Sequence, residues 1–216
     1  MDGIFYTEVG YRFVLIKAVI KTYQVFREKN MSIAVVVKKD NKIVIGADTL
    51  QCFDSNMTGV DNLNESKLRR IGNAMVAGAG WGLYDNILDD YLKGKKPVRL
   101  STKQNIFLFF KRLWPVLHEK YSFVKNQCDD ADSPFGELDS SFLMATKKRI
   151  FFVSSNMCVT EFQKFYAIGA GRDYAIGAMH VLYDQKKSAE EIARLAIEAA
   201  ISNNVYCGGN IEIKKP

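Results

Sequence analysis

The sequence predicts an α+β protein built in four layers, an αββα sandwich with two β-sheets face to face and helices on the outer sides. The predicted strands fall into two groups along the chain, and a pair of predicted helices follows each group. Of the 216 residues, 48% are hydrophobic and 25% are charged, a composition typical of a folded globular protein. This length is enough for one well-buried domain.

The first group of elements opens with two strands, predicted at residues 32–37 and 43–48 around a lysine-rich turn. Residues 54–64, rich in Asp, Asn and Ser, are predicted as a loop. An apolar segment at 74–77 then leads into a run of glycines.

The first helix pair follows those glycines. Apolar residues at helical spacing from Leu83 to Leu92 predict a helix that ends near Gly94 and Pro97. A second helix is expected to begin at a Ser101 cap. Its apolar face is predicted to consist of Ile106, Phe107, Phe110, Leu113 and Leu117.

The second group follows an acidic stretch, residues 129–139, that is predicted as a surface loop. Strands are predicted at 141–145, 150–154 and 162–168. One helix is expected after Gly171 and another from Ser188, which forms a capping box with Glu191, to about Ala200. A last strand is predicted at 210–213.

Residues 1–31 differ from the rest of the chain. Their apolar segments are interrupted by Lys17 and Lys21, so the region is too short and too charged to span a bilayer. It also lacks the pattern of a signal peptide. An amphipathic helix, a propeptide and a stretch translated from a wrongly chosen start remain open, and the last two are favoured because Met31 is a sensible start. The domain is therefore expected to span residues 32–216.

Composition argues against several classes of function. A net charge of +6 with scattered Lys and Arg residues only weakly favours nucleic acid, and no nucleic-acid or membrane partner is expected. The cysteines form no CxxC pair, which indicates free thiols and a cytoplasmic location; they are Cys52, Cys128, Cys158 and Cys207. His118 and His180 lie far apart, which disfavours a zinc site or a Ser-His-Asp triad.

Ser32 is the strongest candidate nucleophile. It follows Met31 and opens the first predicted strand. Removal of the preceding segment would leave a hydroxyl and a free α-amine on one residue, and that amine can act as the general base for the hydroxyl.

Several further features occur in a fixed order after Ser32. They are Asp48 at the end of the second strand, Lys67 in a basic run, the Ala79-Gly80 turn before a helix, the segment 167–169 before the next helix, and the closing Cys207-Gly208-Gly209. Together they resemble the β-type proteasome subunits and the bacterial peptidase HslV, which are N-terminal nucleophile hydrolases. The resemblance covers roughly residues 32–214 and implies the fold of that superfamily.

The resemblance implies a role for each matching residue. Ser32 stands where the family has its N-terminal threonine. Lys67 matches a buried lysine whose charge favours the deprotonated amine and the developing alkoxide, and Asp48 matches the carboxylate that orients it. Gly80 most nearly matches the glycine whose backbone N–H forms the oxyanion hole, with Gly82 as the alternative.

The chain departs from the family pattern at three positions. Ala170 replaces a serine before Gly171, Asn204 replaces an aspartate, and Cys207 replaces a serine. These changes predict fewer side-chain hydrogen bonds around the nucleophile than in the family. No cofactor is required for the chemistry, but relatives hold a structural cation, monovalent or divalent, through carbonyls at the positions of Ile201, Asn204 and Cys207.

The resemblance implies a peptidase enclosed in a homo-oligomeric ring that degrades unfolded polypeptide. No ATP-binding motif is present, so any ATPase unfoldase would be a separate chain. The candidate ring contact is the helix carrying Leu83, Ile87 and Leu88, flanked by Trp81 and Tyr84. A catalytically inactive ring subunit and a small-molecule amidase of the same superfamily are the alternatives.

Overall fold

The structure is a computed structural model that describes residues 31–53, 56–58, 66–121, 136–138 and 140–216. The segment expected to be a propeptide or upstream stretch therefore lies outside the described residues, apart from Met31. Most of the two predicted loops, 54–64 and 129–139, lies outside them as well.

Two antiparallel sheets form the middle of the described molecule. The four-stranded sheet consists, in spatial order, of β10 (Phe165–Gly169), β1 (Ile33–Lys39), β2 (Lys42–Asp48) and β11 (Ile211–Lys214). The five-stranded sheet consists, in spatial order, of β5 (Leu68–Ile71), β6 (Ala74–Gly80), β7 (Ser140–Ala145), β8 (Ile150–Val153) and β9 (Val159–Phe162). A separate hairpin pairs β3 (Gln51–Phe53) with β4 (Asn56–Thr58), the latter inside a segment predicted to be a loop.

Helices cover the outer face of each sheet. α1 (Leu83–Leu92) and α2 (Lys103–Lys120) share a hydrophobic cluster with the five-stranded sheet. α3 (Arg172–Leu182) and α4 (Ala189–Asn203) share another with the four-stranded sheet. The predicted αββα sandwich is thus confirmed. No helix in the described part of the chain has the length and apolar character needed to cross a membrane.

The continuous apolar run at residues 33–37 of β1 explains the layering. Ile33, Val35 and Val37 pack against α3 and α4, whereas Ala34 and Val36 face the other sheet. Successive side chains of a strand point to opposite faces, so a strand apolar at every position can be buried on both. Complete burial of each larger apolar side chain contributes about 1.5–3 kcal/mol.

One predicted strand is wrong. Residues 162–168 do not form a single strand, because Phe162 ends β9 in one sheet and Phe165 begins β10 in the other. Only Gln163 and Lys164 separate the two strands, and there the chain crosses between the stacked sheets. Apolar residues flank this crossing on both sides, so hydrophobicity alone gave no boundary.

The helix starts were predicted with mixed success. The cap of α2 is Thr102, whose hydroxyl accepts from the Asn105 N–H at 3.2 Å, and not Ser101. Phe107 is 45% exposed and does not belong to the buried face of that helix. The Ser188–Glu191 capping box is confirmed, with both of its hydrogen bonds present.

The predicted ring contact needs correction as well. Tyr84, Ile87 and Leu88 are buried in the core between α1 and the five-stranded sheet, so they are not available to another subunit. Trp81 and Leu83, by contrast, are 51% and 45% exposed.

Candidate active site

The candidate site forms at one end of the sandwich, where the two sheets meet. Ser32 directly precedes β1 and Asp48 ends β2. The antiparallel register, with Ala34 opposite Ala47, places these two residues at the same end of their sheet. Lys67 directly precedes β5 in the other sheet.

Lys67 joins the three predicted residues. Its Nζ donates to the Ser32 Oγ at 2.7 Å and to the Asp48 Oδ1 at 2.7 Å, and it also donates to the carbonyl of Leu50. An ammonium group carries three protons, so these three acceptors use its full donor capacity. The Lys67 side chain is only 12% exposed.

Asp48 is a fully buried carboxylate, and both of its oxygens accept hydrogen bonds. Besides Lys67, its Oδ1 accepts from the Ile33 N–H at 3.1 Å and its Oδ2 from the Gly208 N–H at 2.9 Å. A buried charge is tolerated when it is paired and hydrogen-bonded in this way. Asp48 therefore fixes both the lysine and the backbone next to Ser32.

The backbone of Ser32 is held by two loops. Its nitrogen donates to the Tyr206 carbonyl at 3.0 Å, and its own carbonyl accepts from the Gly171 N–H at 3.5 Å. The φ angle of Ser32 is 83°, which is uncommon for a residue other than glycine. A side chain at Gly169 would place its Cβ 2.2 Å from the Ser32 carbonyl oxygen, so only glycine fits opposite the nucleophile.

Asn204, where an aspartate was expected, uses both ends of its amide. Its Nδ2 donates to the Ala170 carbonyl at 2.9 Å, and its Oδ1 accepts from the Tyr206 N–H at 2.9 Å. Tyr206 in turn accepts from the Ser32 nitrogen. The asparagine thus links the segment before α3 to the segment that holds Ser32, although Ala170 has no hydroxyl to contribute.

We expect Asn204→Asp to weaken this link. A carboxylate cannot donate to the Ala170 carbonyl, and the loss of a donor to a partly buried acceptor reduces the free energy of unfolding by about 1–3 kcal/mol. Chemical denaturation measures the change. Asn203→Asp is the matched control, because the Asn203 amide also donates to a carbonyl, that of Ala199 at 2.8 Å, but is exposed. An equal effect of both substitutions would show that only charge at the end of α4 matters.

Gly80 lies at the end of β6, with a φ of 139° that is available to glycine and not to other residues. The pairing of β5 with β6 ends where Leu68 lies opposite Ala77. The β6 backbone from Gly78 to Gly80 therefore continues past the end of β5, on the side of Lys67. The next N–H, that of Trp81, donates to the Ser140 Oγ at 3.2 Å. The alternative, Gly82, lies in the turn before α1 with an α-helical φ of −59°. The role of Gly80 in an oxyanion hole stays a prediction.

The three residues of the predicted cation site lie along one segment. Ile201 is in the last turn of α4, Asn204 caps that helix, and Cys207 is buried just beyond it. The Asn204 carbonyl already accepts from the Cys207 N–H at 3.0 Å, although a carbonyl has a second lone pair. In the described residues, no three His, Cys, Asp or Glu side chains are grouped to hold a metal ion. The carbonyl site stays a prediction.

Several groups around Ser32 and Lys67 could not be predicted from the sequence. The Leu50 carbonyl, the Gly208 N–H and the Tyr206 carbonyl are backbone groups, and no residue type signals them. Ser140, which is buried and bonded to the N–H after Gly80, carried no motif either.

Comparison with known proteins places these observations in a family. The family model described as proteasome subunit matches residues 141–215. The structure of Thiobacillus denitrificans BPH in complex with epoxomicin is 30% identical, with a TM-score of 0.77, and the match covers 85% of this chain and 98% of that one. A second structure of Thiobacillus denitrificans BPH gives the same identity, TM-score and coverage of this chain, with 97% of that chain covered.

A more distant structure agrees in fold. Eukaryotic HslV from Trypanosoma brucei is 18% identical, with a TM-score of 0.55, and the match covers 84% of this chain and 97% of that one. The first two matches extend over nearly the full length of a 30% identical relative. The chain therefore belongs to the proteasome β-type and HslV-like family of peptidases.

Proposed function

We propose that the chain is a peptidase subunit in which Ser32, as the first residue of the mature protein, attacks the peptide carbonyl. The observation that carries this proposal is the Lys67 ammonium, which donates both to the Ser32 Oγ and to the buried Asp48 carboxylate, each at 2.7 Å. Burial of the Lys67–Asp48 ion pair costs desolvation free energy, and a serine that only begins a strand would not require such a pair beside it.

The reaction proceeds in two stages. The α-amine of Ser32 accepts the hydroxyl proton while Oγ bonds to the peptide carbon, and the carbonyl oxygen becomes an oxyanion, with the Gly80 N–H as the proposed donor. The C–N bond then breaks, the leaving amine takes the proton from the α-ammonium, and an ester remains on Oγ. Water, deprotonated by the same amine, hydrolyses the ester and restores the hydroxyl.

Lys67 acts in this scheme through its charge. A cation beside Oγ stabilises the developing alkoxide and disfavours protonation of the neighbouring α-amine. Asp48 balances that cation and, through the Ile33 N–H, holds the start of β1 in place. Hydrogen bonding of the Ser32 nitrogen to the Tyr206 carbonyl orients the amine.

The proposal includes the assembly and the substrate. Homo-oligomeric rings in the cytoplasm would enclose the sites and admit unfolded polypeptide, with a separate ATPase as unfoldase if one is used. Trp81 and Leu83, which are exposed next to Gly80, are open to contact with polypeptide or a second subunit. A structural cation on the carbonyls of Ile201, Asn204 and Cys207 remains part of the proposal.

Intact-mass measurement on protein from its native host tests the central step. We expect a chain that begins at Ser32, that cleaves fluorescein-labelled casein, and that elutes as a multimer in size exclusion with light scattering. Full activity with a mass corresponding to residues 1–216 would contradict the mechanism, because no free amine would then be present on Ser32. A stable monomer of 24.5 kDa would favour the small-molecule amidase instead.

A catalytically inactive ring subunit is the second candidate, and one observation favours it. Ala170 offers no hydroxyl near the Ser32 nitrogen, and the Asn204 amide is already used by Ala170 and Tyr206. Epoxomicin, named in the Thiobacillus denitrificans complex, separates the two candidates. Inhibition of a Ser32-first protein, and no stabilisation of the Ser32→Ala variant by the compound, would favour the active peptidase.

A further inference from the structure

We propose that Glu212 and Lys214 on β11 are positioning residues that hold Lys67 in place through Ser66. The name β11 clamp is used here for Ser66, Glu212 and Lys214. The effect of the clamp on turnover rests on the proposed function, whereas its effect on the Lys67 side chain does not.

The contacts of the clamp converge on the start of β5. The Ser66 hydroxyl donates to the Glu212 Oε2, and the Lys214 Nζ lies 2.8 Å from the Glu212 Oε1. The same Nζ donates to the Ser66 Oγ at 3.0 Å and to the Leu68 carbonyl at 3.3 Å. Ser66, which belongs to the clamp, and Leu68, whose backbone the clamp binds, are the two sequence neighbours of Lys67.

The side-chain donors of the clamp are all used. Lys214 has three protons and three acceptors, namely Glu212, Ser66 and the Leu68 carbonyl. The Ser66 hydroxyl has one proton, for which the Glu212 carboxylate is the strongest acceptor, and it accepts from Lys214 and from the Leu68 N–H at 3.0 Å. A network in which every side-chain donor has an acceptor fixes geometry.

The position of the clamp relates it to the candidate site. β11 belongs to the four-stranded sheet, where Ile211 lies opposite Asp48 and Glu212 opposite Ala47. Lys67 enters from the five-stranded sheet and must meet groups on the other sheet. Apolar packing between sheets is non-directional, so it does not by itself fix the lysine to within an ångström. The clamp ties the two sheets together beside Asp48.

The clamp is poorly suited to a role in global stability. The Lys214 and Glu212 side chains are 37% and 30% exposed, and ion pairs this accessible to water contribute little to the free energy of unfolding. Burial raises the pKa of Glu212, but the hydrogen bonds from Lys214 and Ser66 lower that pKa by more than burial raises it. The pKa therefore lies below its ordinary value, and the carboxylate is ionised at neutral pH. Directional contacts with little stabilising effect are typical of a positioning element.

The first test measures the Lys67 amine itself. The full chain is treated with acetic anhydride, and acetylation of Lys67 is followed by peptide mass spectrometry. We expect Lys214→Met and Glu212→Gln to raise the acetylation rate several-fold. The melting temperature should fall by less than about 4 °C, because an exposed ion pair contributes at most about 1 kcal/mol to the free energy of unfolding. Glu161→Gln is the matched control, because Glu161 on β9 pairs at 3.6 Å with Arg149, the residue before β8, at the opposite edge of the sheet from β5.

The second test measures turnover of fluorescein-labelled casein. Displacement of Lys67 by about 1 Å should lower kcat by about 10- to 100-fold. KM should not change, because none of the contacts of the clamp is with Ser32 and only the position of Lys67 is altered. Lys214→Arg keeps the charge and several donors and should recover most of the activity that Lys214→Met loses.

The two tests separate the inference from the function on which it rests. An unchanged rate of Lys67 acetylation in both clamp variants would overturn the inference, whatever the activity. A raised rate in the clamp variants of a protein that cleaves no peptide would support the clamp and contradict the proposed peptidase. Failure of Lys214→Arg to recover kcat would also count against the positioning role.

Discussion

Ser32→Ala is expected to reduce kcat for peptide cleavage by about 10⁴- to 10⁶-fold, because the hydroxyl is the only nucleophile in the proposed mechanism. The fold and assembly should be unaffected. The serine backbone is held by the Tyr206 carbonyl and the Gly171 N–H, and the substitution changes neither group. Fluorescein-labelled casein provides the kinetic measurement and light scattering the assembly measurement.

Ser32→Thr serves as the control, because it keeps both the hydroxyl and the amine and should retain activity in a chain that begins at residue 32. Substantial activity in Ser32→Ala would place the chemistry on another group. Cys207 would be the first to examine, although its thiol is buried, with a residue exposure of 5%.

Lys67→Met is expected to have two effects. Removal of the ammonium should lower kcat by at least about 10²- to 10³-fold, as loss of one preorganised electrostatic donor typically does. It should also lower the free energy of unfolding by about 3–5 kcal/mol, because Asp48 is fully buried and would lose its counter-charge. Thermal and chemical denaturation measure the second effect.

A double variant separates the two effects. Lys67→Met combined with Asp48→Asn removes both charges and should recover much of the stability without recovering activity. Lys67→Arg keeps the charge but should not restore turnover, because a planar guanidinium cannot reproduce a compact ammonium between Ser32, Asp48 and the Leu50 carbonyl. Parental turnover in Lys67→Arg would identify Lys67 as an ordinary charged residue.

The fold was largely predictable because its signals are local. A continuous apolar run, such as residues 33–37 of β1, indicates burial on both faces, and the Ser188–Glu191 box marks a helix start within four residues. The prediction was wrong at 162–168, where two strands of different sheets follow each other with a two-residue crossing. Which sheet a strand joins depends on distant partners, and a short window of sequence does not contain them.

The candidate site was predictable only in part. Ser32, Asp48 and Lys67 came from an ordered set of residue types, and the structure brings these three together. Their roles in catalysis stay predictions. Backbone partners such as the Gly208 N–H carry no signal in residue type, and Ser66 is 146 positions from Glu212. Such a pair forms only because the two sheets stack, so the local sequence around either residue does not predict it.

The positive φ angle of Ser32 has a consequence for the proposed removal of the segment that precedes it. This torsion is defined by the carbonyl carbon of Met31, so it exists only while the two residues are joined. A non-glycine residue in this region stores about 1–3 kcal/mol of strain, so the proposed removal of the segment before Ser32 would release that energy and favour the cleaved state. Threonine is branched at Cβ and tolerates such a torsion less well than serine. A serine therefore suits this backbone torsion better than a threonine would while residue 32 is bonded to Met31.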